Sequence, residues 1–256
     1  MPVFFLAHGS PVNALEENRF TQDWQQITRH TPPPKTLIFI SAHWETPTIK
    51  ITAKPILQTL HDFTGFPSAL YQLNHSYNND IAMAKAMNEK LNVAGFDSSL
   101  DYKRDLDHGC WTLLQHIFKN QLFRVVQISL STTYAIKTHV AIADLLKTFR
   151  SNQVAFIASG NIIHNIPYWM QLKPNTDTSW AKLLDQTINQ AVIDENMEKL
   201  INYQHLPFSQ LGIPTLEHYL PFIYALSLKS KGEMIRTSHF AEDDFGAHCS
   251  RSFKFG

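Results

Sequence analysis

Short, continuous apolar runs that stop at a histidine or at small residues constrain this chain more than any other feature. Val3-Phe4-Phe5-Leu6 runs into Ala7-His8-Gly9-Ser10-Pro11, and Leu37-Ile38-Phe39-Ile40 runs into Ser41-Ala42-His43-Trp44. Val154-Ala155-Phe156-Ile157 leads into Ala158-Ser159-Gly160-Asn161 and on to His164-Asn165. Such runs recur at 3–6, 37–40, 124–130 and 154–158, with helically spaced stretches between them. Strands therefore alternate with helices, and the fold class is α/β. In an open parallel sheet the carboxyl ends of the strands line one crevice, so these histidines converge at one sheet edge. Several imidazoles in one place call for a divalent transition metal, because neutral imidazole is its commonest protein ligand.

The helical spacing falls at 20–29, 80–92, 111–117, 138–149, 180–194 and 218–228. In the fourth, Val140, Ala143, Asp144 and Lys147 divide between a buried and a solvated side, as in a helix that covers a sheet. Thr31-Pro32-Pro33-Pro34 cannot continue a helix and separates the first helix from the next strand. Residues 45–79 and 196–215 read as irregular connections, and loops of that length tend to surround a functional site. With 256 residues, one domain spanning 1–256 can bury a substantial core.

Acidic and basic residues balance at 22 each, which leaves no basic excess for a phosphate backbone. The expected partner is a small molecule rather than nucleic acid. No apolar run approaches a membrane span, the start lacks a basic leader region, and Cys110 and Cys249 show no metal or disulfide spacing. A cytoplasmic protein with no membrane partner is expected, as a monomer or a small homo-oligomer.

Of the 13 histidines, His30, His116, His139, His205, His239 and His248 lack a repeated context and read as structural. His8 and His43 stand beyond apolar runs with small neighbours that leave room for a ring, and read as ligands. His164 follows its strand by a few residues and can reach the same edge. Glu217 and His218, in Pro214-Thr215-Leu216-Glu217-His218, read as opening the last helix, and either can complete the ligand set. A carboxylate there gives the arrangement of two His and one carboxylate used by non-heme iron oxygenases, whereas three imidazoles also suit zinc. His61-Asp62-Phe63-Thr64-Gly65-Phe66-Pro67 places an imidazole beside two aromatic rings able to wall a flat aromatic substrate. Asp107-His108-Gly109-Cys110-Trp111 places another imidazole ahead of a helix.

Taken in order, six motifs resemble the 4,5-DOPA extradiol dioxygenase family, within the class III extradiol ring-cleavage dioxygenases. They are His8-Gly9-Ser10-Pro11, Ser41-Ala42-His43-Trp44, His61-Asp62-Phe63 with Gly65-Phe66-Pro67, Asp107-His108-Gly109 with Trp111, Ser159-Gly160-Asn161 with His164-Asn165, and Glu217-His218-Tyr219-Leu220-Pro221. The stretch from Ser250 to Gly256 also has the family's look. The resemblance implies a central mixed, mostly parallel sheet flanked by helices, with a metal site at one sheet edge. It implies that His8, His43 and His218 are metal ligands and that His164 is the acid/base of ring cleavage or a further metal contact. His108 becomes a group behind the metal or a stabiliser of charge on oxygen, and His61, Phe63 and Phe66 become a substrate wall. In the wider superfamily a glutamate stands where His218 does here, and zinc-bound members are expected in the bacterial branch. The implied cofactor is therefore one divalent metal, Zn2+ or Fe2+, and the implied reaction inserts O2 beside the diol of a catechol such as DOPA. Two other readings fit three imidazoles: a zinc-dependent hydrolase, and a non-catalytic metal- or catechol-binding protein. Oxygen uptake with a catechol separates the first, and metal exchange the second.

Overall fold

The structure, a computed structural model, describes residues 1–119, 121–173, 176–238 and 251–256. His239, His248 and Cys249 lie outside the described residues. The strands are β1 (Val3–Ala7), β2 (Thr36–Thr46), β3 (Ile49–Thr52), β4 (Ile56–Gln58), β5 (Ser76–Asn78), β6 (Ser98–Asp101), β7 (Arg124–Ser131), β8 (Val154–Gly160), β9 (Ile235–Ser238) and β10 (Ser252–Phe255). The helices are α1 (Arg19–Thr28), α2 (Ser68–Tyr71), α3 (Ile81–Val93), α4 (His108–Leu114), α5 (Ile136–Leu146), α6 (Ile166–Trp169), α7 (Ser179–Ile193), α8 (Met197–Ile201), α9 (Ser209–Gly212) and α10 (Leu220–Leu228).

One large sheet runs in the order β6-β3-β7-β2-β8-β1-β10-β9, and β4 pairs with β5 apart from it. The four apolar runs of the sequence are the contiguous centre, β7-β2-β8-β1, all parallel, so their carboxyl ends share one edge. Antiparallel β10 and β9 extend the sheet beyond β1, and β3 joins β7 antiparallel while pairing parallel with β6. The sheet is mixed and mostly parallel, as the motifs implied.

Both faces are covered, and this explains why the central strands read as continuous apolar runs rather than as alternations. Val3, Phe5, Ile38, Ile40, Val126 and Phe156 face the side packed by α3, α5, α7 and α10. Phe4, Leu6, Leu37, Phe39, Val125 and Ile157 face Trp24 and Ile27 of α1 and Cys110, Leu113 and Leu114 of α4. All of α10 is buried, from Leu220 to Leu228. A helix apolar all round is what a position between sheet and outer helices requires.

Four expectations are corrected. The segment 196–215 carries α8, a turn of 3-10 helix and α9, and 45–79 carries β3, β4, α2 and β5. These elements are three to five residues long, too short for periodicity to declare them. Helix α4 begins at His108 rather than at Trp111, because the Asp107 carbonyl already accepts from the N–H groups of Cys110 and Trp111. Helix α10 begins at Leu220, so Glu217 and His218 lie in the turn before it.

The structural reading of His139 has a consequence for stability. Its ring is fully buried, Nε2–H donates to the Ser131 carbonyl at 3.1 Å, and Nδ1 accepts from the Tyr224 hydroxyl at 3.0 Å. Burial lowers its pKa from 6.5 to about 4. The folded state thus prefers the neutral ring, and the stability tied to it is complete above pH 6.5 and lost as pH falls toward 4. The loss amounts to about 3 kcal/mol. Denaturant melts of metal-free protein, referenced to His139→Gln between pH 7 and pH 4, are expected to show this widening loss; a difference that does not vary with pH contradicts a buried neutral imidazole.

Candidate metal centre

His8 follows β1 directly. His43 lies within β2 rather than beyond it, because the strand continues past a register irregularity between Ile40 and Glu45. Such a break redirects side chains near a sheet edge. His164 hangs from the loop after β8, its N–H held by the Gly212 carbonyl at 2.9 Å. His218 arrives from the turn before α10 on one face of the sheet, and His108 from the start of α4 on the other. Gly160, at the end of β8, lets the His218 backbone pass. A Cβ there would lie well inside 3.0 Å of the His218 carbonyl oxygen.

The five rings converge. Centroids of His8, His43 and His218 are 4.8, 4.9 and 5.2 Å apart, and Nε2 of His8 is 3.0 Å from Nε2 of His43. His108 lies 3.8 Å from His43, and His164 stacks on His218 at 3.5 Å. Candidate ligand atoms of His8, His43 and His108 fall within 4.8 Å of one another, as do those of His164, Glu217 and His218. His108 thus stands among the ring nitrogens rather than behind them. Glu217 is half-buried and its Oε1 accepts from the Thr215 hydroxyl at 2.8 Å, whereas His218 is only 4 % exposed.

For His8, hydrogen bonds fix which ring nitrogen carries the proton. The Ser159 hydroxyl donates its one proton to the Gly109 carbonyl at 2.6 Å. It must therefore accept from His8 Nδ1–H at 2.8 Å, and the Nε2 lone pair of His8 is left for the centre. Burial, and then the neighbouring rings of His43, His218, His108 and His164, hold His8 well below the usual histidine range. His43 is lowered likewise, by burial first and His108 next. The neutral, convergent nitrogens of His8 and His43, with Ser159 orienting the first, fit a borderline divalent ion such as Zn2+ or Fe2+.

Behind the rings lies a polar scaffold that the sequence did not disclose. The fully buried Asp107 carboxylate accepts from Ser41 Oγ at 2.7 Å and from Gln127 Nε2, with Arg104 Nη2 at 3.6 Å. Arg104 also donates to the His43 carbonyl at 2.8 Å, and Ser41 Oγ accepts the His43 N–H at 3.2 Å. Asp62 Oδ1 accepts from both the backbone N–H and the Nδ1–H of His108. Burial raises the Asp62 pKa, but these hydrogen bonds outweigh it and leave the carboxyl below its ordinary range.

Above the rings opens a cavity of about 450 Å³. His8, His43, His108, His164 and His218 contribute to its lining, with Phe63 and Phe66 on the wall. Phe20, Ile166 and Trp169 complete the apolar wall and were missed from sequence, although Ile166-Pro167-Tyr168-Trp169 follows His164-Asn165 directly. His61 stands one layer back: its Nε2–H donates to the Leu73 carbonyl at 3.1 Å, and its ring packs on Phe63, Tyr71 and Trp111.

Residues 2–249 match the family described as the catalytic LigB subunit of aromatic ring-opening dioxygenase. The chain belongs to this family. This ring-opening dioxygenase is 33 % identical over 235 residues to the 4,5-DOPA dioxygenase extradiol of Escherichia coli (strain K12), across 88 % of this chain and 84 % of that one. It is 29 % identical over 263 residues to the protein of the same name from Beta vulgaris, across 98 % and 95 %. Its fold superimposes on the crystal structure of an uncharacterized protein from Escherichia coli K12 with a TM-score of 0.80 and 28 % identity, over the full length of both chains. It is an extradiol ring-cleaving dioxygenase, with an aromatic substrate, O2 and a metal-dependent reaction, rather than a hydrolase or a non-catalytic binder. No helix among the described residues is long and apolar enough to cross a membrane.

Proposed function

We propose that this dioxygenase opens the ring of a catechol such as DOPA, with His8, His43 and His218 as metal ligands and His164 as acid/base. The observation that carries the reading is the mutual approach of the first three rings, at 4.8–5.2 Å, on the floor of a cavity large enough for one substituted aromatic ring. The curated relatives, named for DOPA, support the substrate class.

A divalent metal held there lowers the pKa of the diol and, as Fe2+, supplies redox chemistry toward dioxygen that Zn2+ lacks. The rest is done by side chains. Phe63, Phe66, Ile166 and Trp169 sandwich the flat ring and exclude water, which strengthens every polar contact below it. His164, stacked on His218 and lining the cavity, takes the proton of the diol hydroxyl on its side at a ring nitrogen and returns it as the ring opens. Ser159 keeps His8 in the one tautomer that leaves Nε2 unprotonated.

Anaerobic loading with Fe2+, followed by oxygen uptake and yellow-product formation across a catechol panel that includes DOPA, tests the reading. Turnover with Fe2+ and none with Zn2+ is expected; turnover that survives complete removal of metal overturns it. His164→Ala is expected to lower kcat by about 10²–10⁴-fold, the range of one acid/base group. Catechol affinity, titrated anaerobically, should change little, and an unchanged kcat removes His164 from proton transfer.

A further inference from the structure

Resting on the assignment of His8 as a metal ligand, we infer that α1 sets the position of this ligand, with Trp24 and Asp23 as its positioning residues. The sheet alone holds the end of β1 loosely. Pairing of β1 with β10 ends at Phe5, opposite Phe253, and the His8 N–H reaches the Gly160 carbonyl of β8 only at 3.4 Å. Side chains take over from there. The Ala7 carbonyl accepts from Trp24 Nε1–H at 2.9 Å, and the Ala7 N–H donates to Ser252 Oγ at 3.1 Å. That hydroxyl is hydrogen-bonded in turn to the Asp23 carboxylate, which also accepts from Ser238 Oγ at 2.6 Å. Two consecutive residues of α1 thus clamp both polar backbone groups of Ala7, the residue before the ligand. Asn18, which caps α1 by accepting from the N–H groups of Phe20 and Thr21, makes a third link. Its Nδ2 donates to Asn13 Oδ1 at 2.8 Å, and Asn13 Nδ2 donates to the His8 carbonyl at 3.0 Å.

Solvent cannot stand in for these bonds, because Ala7, Trp24 and Ser252 are fully buried and Asp23 is only 6 % exposed. A buried peptide group that loses its partner must move to find another. Movement of Ala7 carries the His8 backbone, and with it the ring, while His43 stays on β2. The 3.0 Å approach of the two Nε2 atoms therefore depends on α1, which contributes no ligand itself.

A role confined to packing α1 on the sheet makes a different prediction. Trp24→Phe deletes the indole N–H and keeps an aromatic ring in the core, and Ser252→Ala deletes the hydroxyl. In folded protein, verified by circular dichroism, each is expected to lower the affinity for Zn2+ by about 10–100-fold in chelator competition, the range for groups that orient a ligand. Asp23→Ala, one bond further from Ala7, should lose less than Ser252→Ala. Leu91→Ala opens a cavity at a fully buried position of α3, on the other face of the sheet. It lowers stability as well and should leave the zinc affinity at the wild-type value. Wild-type affinity in both Trp24→Phe and Ser252→Ala, or an equal loss in Leu91→Ala, overturns the inference. If Trp24→Phe does not fold, Ser252→Ala decides alone. His8→Ala tests the assignment underneath. Wild-type zinc affinity in folded His8→Ala shows that His8 is no ligand; a loss there, beside wild-type affinity in the α1 and Ser252 variants, removes only the role of α1.

Discussion

His43→Ala is expected to leave the protein folded, without stoichiometric metal and without ring cleavage. The ring supplies one of three proposed nitrogens and sits closest to the others, its Nε2 3.0 Å from that of His8. With two of the three proposed ligands remaining, neither Zn2+ nor Fe2+ keeps the coordination its affinity depends on. Folding should survive because the contacts that hold this segment are made by backbone. The His43 N–H donates to Ser41 Oγ and its carbonyl accepts from Arg104, and both persist in alanine. Elemental analysis after metal loading, beside circular dichroism and oxygen uptake, checks the outcome; full metal content in a folded variant removes the proposed ligand set.

Gly160→Ala is expected to be nearly as damaging, although residue 160 offers no ligand. A Cβ there would lie well inside 3.0 Å of the His218 carbonyl oxygen, 3.2 Å from its carbon and 3.4 Å from Pro221 Cγ. These neighbours are backbone and a ring, so no flexible side chain can swing aside. Either the end of β8 or the turn carrying His218 must move, and overpacking of this kind costs about 1–3 kcal/mol. Because the same turn presents an imidazole to the centre, metal affinity should drop by about 10–100-fold, as when a supporting contact is lost. Competition with a chromophoric chelator measures the affinity and denaturant melts the stability. Zinc affinity equal to that of the wild type would show that the approach of His218 to β8 does not set its position.

These two residues show how differently parts of the site were legible. His43 stood out because its signal is local: an apolar run, then small residues and a histidine. Gly160 was visible only as a turn residue, since the carbonyl it makes room for is 58 positions away in the chain. The last strand, Ser252–Phe255, carried no declared periodicity, yet it pairs with β1 and buries Phe253 and Phe255 completely. His108 was legible as a histidine before a helix, but its distance of 3.8 Å from His43 comes from α4 packing over the sheet edge.

By itself the sequence determined the α/β class, the four buried apolar runs that form the central strands, and the histidines that follow three of those runs. Strand burial and strand termination are properties of a few consecutive residues, and the motifs are short and ordered. Only the tertiary structure decided which ring nitrogens face one another, that Ser159 orients His8 and Asp62 orients His108, and that Asp107, Ser41, Gln127 and Arg104 brace the segment holding His43. Those are directional contacts between residues distant in the chain. Their geometry exists only once the sheet, α4 and α10 have packed.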